Sequence, residues 1–209
     1  MALVHADNFS IYGSDTGLMT QGVYASANRC TLQNDPDGIS PGKVLRPSET
    51  GGNQPRQTWR YNSQSGATGT VGVAMRVWMD IVPPVNDPYS FIQLRDANNN
   101  PLVWVFPNAD GSLSIQTLTT ENGAGGWNVG YTERTPIPVL TAKGWYHMEL
   151  KFESTGAGLC SYEVRIEGQT VLQGADVAVR GNLPAIFSGG YYETTQFYYF
   201  YIKDQGGYI

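Results

Sequence analysis

Trp145-Tyr146-His147-Met148-Glu149-Leu150-Lys151-Phe152-Glu153, followed shortly by Cys160-Ser161-Tyr162-Glu163-Val164-Arg165-Ile166-Glu167, carries the pattern from which the fold is read. In the first run Tyr146, Met148, Leu150 and Phe152 alternate with His147, Glu149, Lys151 and Glu153. In the second, Cys160, Tyr162, Val164 and Ile166 alternate with Ser161, Glu163, Arg165 and Glu167. A period of two sends successive side chains to opposite faces of a strand, so each run is a β-strand with one face on a core and the other in water. The flexible Ser154-Thr155-Gly156-Ala157-Gly158 between them closes a hairpin. Glu167-Gly168-Gln169 then turns the chain into a third short strand, Thr170-Val171-Leu172.

The same reading extends outward. Thr70 to Asp80 places Val71, Val73, Met75, Val77 and Met79 on one face, a half-buried strand. Tyr89 to Asp96 and Leu102 to Phe106 flank a turn-forming Ala97-Asn98-Asn99-Asn100-Pro101 and predict a second hairpin. Asn108-Ala109-Asp110-Gly111 leads into another alternating run, Ser112 to Gln116. The last predicted strand, Gln196 to Lys203, is apolar or aromatic on both faces, so it lies centrally in a sheet or at a contact between subunits. No window shows a 3.6-residue period. The expected architecture is an all-β, antiparallel two-sheet jelly-roll sandwich forming one domain over residues 1–209, with long irregular loops at about 34–69 and 119–138.

Composition agrees with many short strands and a sizeable core. Hydrophobic residues make up 41% and aromatics 12% of 209 residues, and 25 glycines and 12 prolines fall between the apolar runs. A net charge of −5 with 13 scattered basic residues gives no stripe to neutralise a phosphate backbone, which argues against a nucleic-acid partner. No run of about 18 apolar residues is present and the N-terminus carries no secretion pattern, so membrane insertion is not expected and synthesis in a cytoplasm is. Cys30 and Cys160 are far apart and are expected as free thiols, their pairing left open. With only His5 and His147, a multi-histidine metal site is impossible.

Two segments carry a resemblance. Gly144 to Leu150 with Tyr162 to Leu172 resembles the laminin-G-like hallmark, in which a Trp opens a strand whose hairpin partner ends in a V-x-V-[ND]-G-x-x-V turn. In physical terms Trp145 covers the sandwich edge and Gly168 supplies a positive φ. The opening Asp7-Asn8-Phe9-Ser10-Ile11-Tyr12-Gly13 and the ending Phe200 to Gly207 are similar to the first and last strands of bacteriophage versions of this concanavalin A-like fold. Tyr199 and Phe200 stand where that ending commonly has two acidic residues. The resemblance implies a virion structural protein: a head decoration, fibre or tail-surface component.

Glu149 with Glu153, and Glu163 with Glu167, are the nearest approach to paired glycosidase carboxylates, but without the E-x-D-x-x-E arrangement they read as solvated strand faces. The tail from Tyr201 to Tyr208 is similar to the Y-F-K-x-G-x-Y strand of jelly-roll alginate lyases, whose partner strand Q-[IV]-H is missing. Asp96-Ala97-Asn98-Asn99-Asn100 starts like a calcium loop, yet Pro101 replaces the required glycine; Asp35-Pro36-Asp37-Gly38 is equally a turn. No cofactor is indicated, calcium stays possible and metal ligands unknown. Trp127, Tyr131, Tyr191 and Tyr192 are candidates for stacking on sugar rings or for an interface, and Phe197, Tyr199 and Tyr201 for a subunit contact.

The expected function is therefore non-enzymatic: a homo-oligomeric virion protein touching other capsid or tail proteins, with host surface glycans as a further expected partner. A lectin-like carbohydrate-binding module is the alternative, and a polysaccharide lyase or hydrolase the third reading.

Overall fold

The computed structural model describes residues 3–8, 26–28, 30–38, 42–47, 56–60, 69–79, 89–96, 98, 100–121, 127–155, 157–180, 186–192 and 200–208. The described residues form fifteen strands: β1 Leu3–Asn8, β2 Ser26–Asn28, β3 Cys30–Asn34, β4 Lys43–Pro47, β5 Arg56–Arg60, β6 Gly69–Met79, β7 Tyr89–Arg95, β8 Pro101–Pro107, β9 Leu113–Glu121, β10 Trp127–Arg134, β11 Gly144–Ser154, β12 Leu159–Ile166, β13 Gln169–Ala178, β14 Ile186–Tyr192 and β15 Phe200–Tyr208. Among the described residues no helix is long and apolar enough to cross a membrane.

The predicted hairpin is β11–β12. Met148 faces Ile166, Leu150 faces Val164 and Phe152 faces Tyr162, so the apolar sets of both strands meet on one side of the sheet. On the other edge of β11, Leu150 pairs with Val73 and Phe152 with Val71 of β6, extending that apolar face. The β12–β13 turn has positive φ at both Glu167 (50°) and Gly168 (76°), the two-residue geometry whose twist matches the flanking strands.

Two antiparallel sheets result. One has eight strands in the order β13-β12-β11-β6-β15-β4-β3, with β1 also paired to β15; the other has seven, β10-β9-β8-β7-β14-β5-β2. Their inner faces form one apolar cluster, with Val71, Val73, Met75, Leu150, Phe152 and Val164 from the first sheet against Ile92, Leu94, Val103, Val105 and Ile115 from the second. Burial of each such side chain contributes on the order of 1.5–3 kcal/mol. The sheets are also tied along one side, where Thr117 Oγ1 donates to the Ala178 carbonyl at 2.5 Å and the Arg180 amide to Leu118 at 2.8 Å. Cys160 is a buried free thiol, and burial pushes its pKa up to about 12.

The structure corrects two expectations. The stretches 34–69 and 119–138 are not wholly irregular: they contain β4 and β5, and the end of β9 with β10. β10 is an edge strand, exposed or half-buried at every position, so it has no buried face to impose a period-two pattern. The last strand continues past Lys203, its described part running from Phe200 through the glycines to Tyr208, and residues 196–199 lie outside the described residues. Of the two placements expected for it, β15 takes the one within a sheet, between β6 and β4.

Candidate functional site

The outer face of the seven-stranded sheet assembles a site from residues scattered through the sequence. Ile92, Leu94, Val103 and Val105 point into the core, so by the pleat Gln93 and Trp104 point away from it. They are register partners across β7 and β8. Trp104 in turn faces Gln116 of β9, and Gln116 faces Thr132 of β10. In the other direction Gln93 faces Ser188 of β14, Ser188 faces Thr58 of β5, and Thr58 faces Ser26 of β2. Among the described side chains of this row, Gln93, Trp104, Gln116 and Thr132 each carry a hydrogen-bonding group.

The middle of the row has an unusual electrostatic state. Gln93 is 0% exposed although it lies on the outer face. Its Oε1 accepts a 2.6 Å hydrogen bond from Nε of Arg95, two positions along the same face and only 8% exposed. Gln93 Nε2 and Trp104 Nε1 are both buried and have no hydrogen-bond partner among the described residues. An unmet buried donor costs roughly 1–3 kcal/mol, so two on facing residues, next to a nearly buried guanidinium, form a locus that an incoming acceptor oxygen would relieve.

Arg95 is followed by Asp96, 1% exposed, whose carboxylate is spent locally. Its Oδ1 accepts the amides of Asn98 and Asn100, its Oδ2 accepts Asn100 Nδ2 at 2.9 Å, and Arg180 approaches Oδ2 at 3.6 Å. The calcium-like segment is thus an Asx-type turn that closes the β7–β8 hairpin. Asp35 likewise holds its own turn, accepting the Asp37 amide, while Asp37 Oδ2 accepts Trp145 Nε1 at 3.0 Å. Among the described residues no three His, Cys, Asp or Glu side chains are grouped to hold a metal ion.

The aromatic candidates are separated by the fold. Tyr191 and Tyr192 lie on β14 opposite Ser90 and Tyr89 of β7, on the strand next to Gln93. Trp127 and Tyr131 are instead on the edge strand β10, where the Arg180 guanidinium stacks 5.3 Å above the Trp127 ring. Tyr131 lies 6.3 Å from the Tyr162 ring, whose hydroxyl donates to Glu133. Burial, and then that carboxylate, push the Tyr162 phenol up, so this cluster is a seam between the sheets. Tyr201 faces Trp78 in the middle of the eight-stranded sheet, and Phe197 and Tyr199 lie outside the described residues.

Gln93, Arg95 and Trp104 were missed as site residues. A signal was present: Gln93-Leu94-Arg95 matches the glutamine and the spacing of the Q-[IV]-H strand, with arginine where the histidine would be.

The fold has relatives among solved structures. It matches the endo-β-1,4-glucuronan lyase of the fungus Trichoderma reesei with a TM-score of 0.65 at 12% identity, over 99% of this chain and 95% of that one. Alginate lyase Aly36B matches with a TM-score of 0.61 at 13% identity, over 97% and 95% of the two chains. A conserved carbohydrate esterase of the Shiga toxin-encoding bacteriophage phi24B matches with a TM-score of 0.60 at 13% identity, over 99% and 97%. No protein-family model and no curated protein sequence matches the chain. The class is therefore an all-β jelly-roll sandwich, an architecture shared with carbohydrate-active proteins.

Proposed function

We propose that the outer face of the seven-stranded sheet binds an acidic glycan without cleaving it, and that the chain serves as a bacteriophage virion surface component. The carrying observation is the facing pair Gln93 and Trp104, whose two buried donors have no partner among the described residues and lie beside the positive charge of Arg95. Guanidinium in the histidine position keeps the charge that would hold a sugar carboxylate, yet it stays protonated at any physiological pH and cannot act as a base. Among the described side chains of the cross-sheet row, none titrates near neutrality. The names of two structural neighbours, acting on glucuronan and alginate, support an acidic polysaccharide as ligand. The phage-like ends of the sequence and a neighbour from phage phi24B support the virion setting.

Calorimetric titration with alginate and glucuronan tetrasaccharides tests the reading. Saturable binding that disappears in Arg95→Ala, with no rise in the ultraviolet absorbance of unsaturated uronate on prolonged incubation, is expected. Absence of binding overturns the site. Accumulating absorbance would favour a second reading, an eliminating lyase, for which Tyr191 and Tyr192 on the strand beside Gln93 are the supporting observation. Light scattering and co-sedimentation with purified particles test the homo-oligomeric assembly with capsid or tail proteins. A monomer absent from particles removes that part.

A further inference from the structure

The eight-stranded sheet carries a separate recess on its own outer face. Val71, Val73 and Met75 of β6 fill the core, so Gly72 and Ala74 lie on the outside. Across the β6–β11 pairing Gly72 faces Lys151 and Ala74 faces Glu149, and across the next Lys151 faces Glu163 and Glu149 faces Arg165. On the other flank β15 places Gly206 opposite Ala74. Very small residues beside long charged ones leave a cavity of about 430 Å³, floored by Gly72 and Ala74 and walled by His147, Glu149, Lys151 and Glu163. That lies within the roughly 300–1,000 Å³ typical of small-ligand clefts.

The wall is electrically balanced and mostly satisfied. Arg165 grips Glu163 through two hydrogen bonds of 3.0 and 2.9 Å, and the Thr170 hydroxyl donates to the same carboxylate at 2.6 Å. The Thr170 and then the Arg165 bonds hold Glu163 below the usual carboxylate range. His147 Nε2 meets Glu149 Oε1 at 3.2 Å. Two groups are left over: neither the Lys151 ammonium nor Glu149 Oε2 has a hydrogen-bond partner among the described residues.

We propose that this recess is a second glycan site, selective for a neutral hexose unit. The C–H face of the ring rests on Gly72 and Ala74. Of two adjacent hydroxyls, one accepts from Lys151 Nζ and the other donates to Glu149. An anionic sugar would meet the Glu149 and Glu163 carboxylates at close range, and a cationic one Lys151 and Arg165, so neutrality is the property selected. The site does not depend on the Gln93 face, because the two lie on the outer faces of different sheets.

The test is an amide NMR titration of the full chain with neutral tetrasaccharides of glucose, mannose and galactose in turn, up to about 10 mM. Shifts at the Gly72, Ala74 and Lys151 amides are expected with at least one of them. Lys151→Ala, which removes an exposed side chain, should weaken that binding about tenfold, and Ala74→Leu should abolish it by filling the floor. No shift at these amides with any of the three sugars overturns the proposal, as does undiminished binding in Lys151→Ala. Alginate tetrasaccharide in a parallel titration reports at the Gln93 side chain and the Trp104 indole, so failure of one site is visible apart from failure of the other.

Discussion

Gln93→Leu separates a binding role from a structural one. Gln93 is fully buried, with its Oε1 engaged by Arg95 and its Nε2 unmet. Leucine removes the unmet donor, worth roughly 1–3 kcal/mol in favour of the variant, and deletes the charge-assisted bond to Arg95, worth roughly 1.5–3 kcal/mol against it. The two changes largely cancel, so unfolding free energy should move by no more than about 2 kcal/mol. Binding has no such compensation. An acidic glycan would lose one donor and the alignment of Arg95, again roughly 1.5–3 kcal/mol, which is about 10- to 150-fold in Kd. Urea unfolding followed by tryptophan fluorescence, alongside calorimetry with alginate tetrasaccharide, gives both quantities from one preparation. A stability loss of about 3 kcal/mol or more with unchanged affinity would refute the reasoning, because Gln93 would then be a structural group.

Phe152→Ala empties the centre of the eight-stranded sheet's inner face and should cost about 3–5 kcal/mol in urea unfolding. At Gly174 an added Cβ would stand 2.7 Å from the Tyr162 ring, so Gly174→Ala should push the ring off Glu133 and cost about 1–3 kcal/mol. Ultraviolet titration of that variant should show the Tyr162 phenol returning toward its ordinary value. Cys160 should resist iodoacetamide in the native protein at neutral pH and react once urea unfolds it. Burial holds its folded pKa at about 12, above the ordinary thiol value of 9.0, so the folded state keeps a proton that the unfolded state releases. This contribution is therefore complete below pH 9.0 and declines as pH rises toward about 12, measurable as a falling unfolding midpoint in Cys160 protein that Cys160→Ala lacks.

Strands with one wet and one buried face were the legible part of the chain. β6, β11 and β12 alternate because water on one side and core on the other impose chemistry at every second residue, and the glycine turn at Gly168 follows from the positive φ it must adopt. β10 was illegible for the opposite reason, since an edge strand exposed at most positions carries no such contrast. Glu149 and Glu163 were correctly placed on an outer face, but their partners, His147 and Arg165 with Thr170, depend on which strands adjoin, and Glu167 lies in the turn after β12, where its carboxylate accepts the His147 amide.

The candidate site shows where local pattern stops. Gln93 read as one polar residue in an apolar strand, and nothing near it in the chain announces that Trp104, Gln116 and Ser188 come to stand beside it. Periodicity assigns each side chain to a face because that depends on immediate neighbours. Strand order depends on closing long loops so that two apolar faces bury each other, a choice made by the whole chain. The residue list thus established the strands, their faces and the tight turns. The folded molecule alone decided that β14 inserts between β7 and β5, that β15 lies against β6, and that two facing donors end up buried without a partner among the described residues.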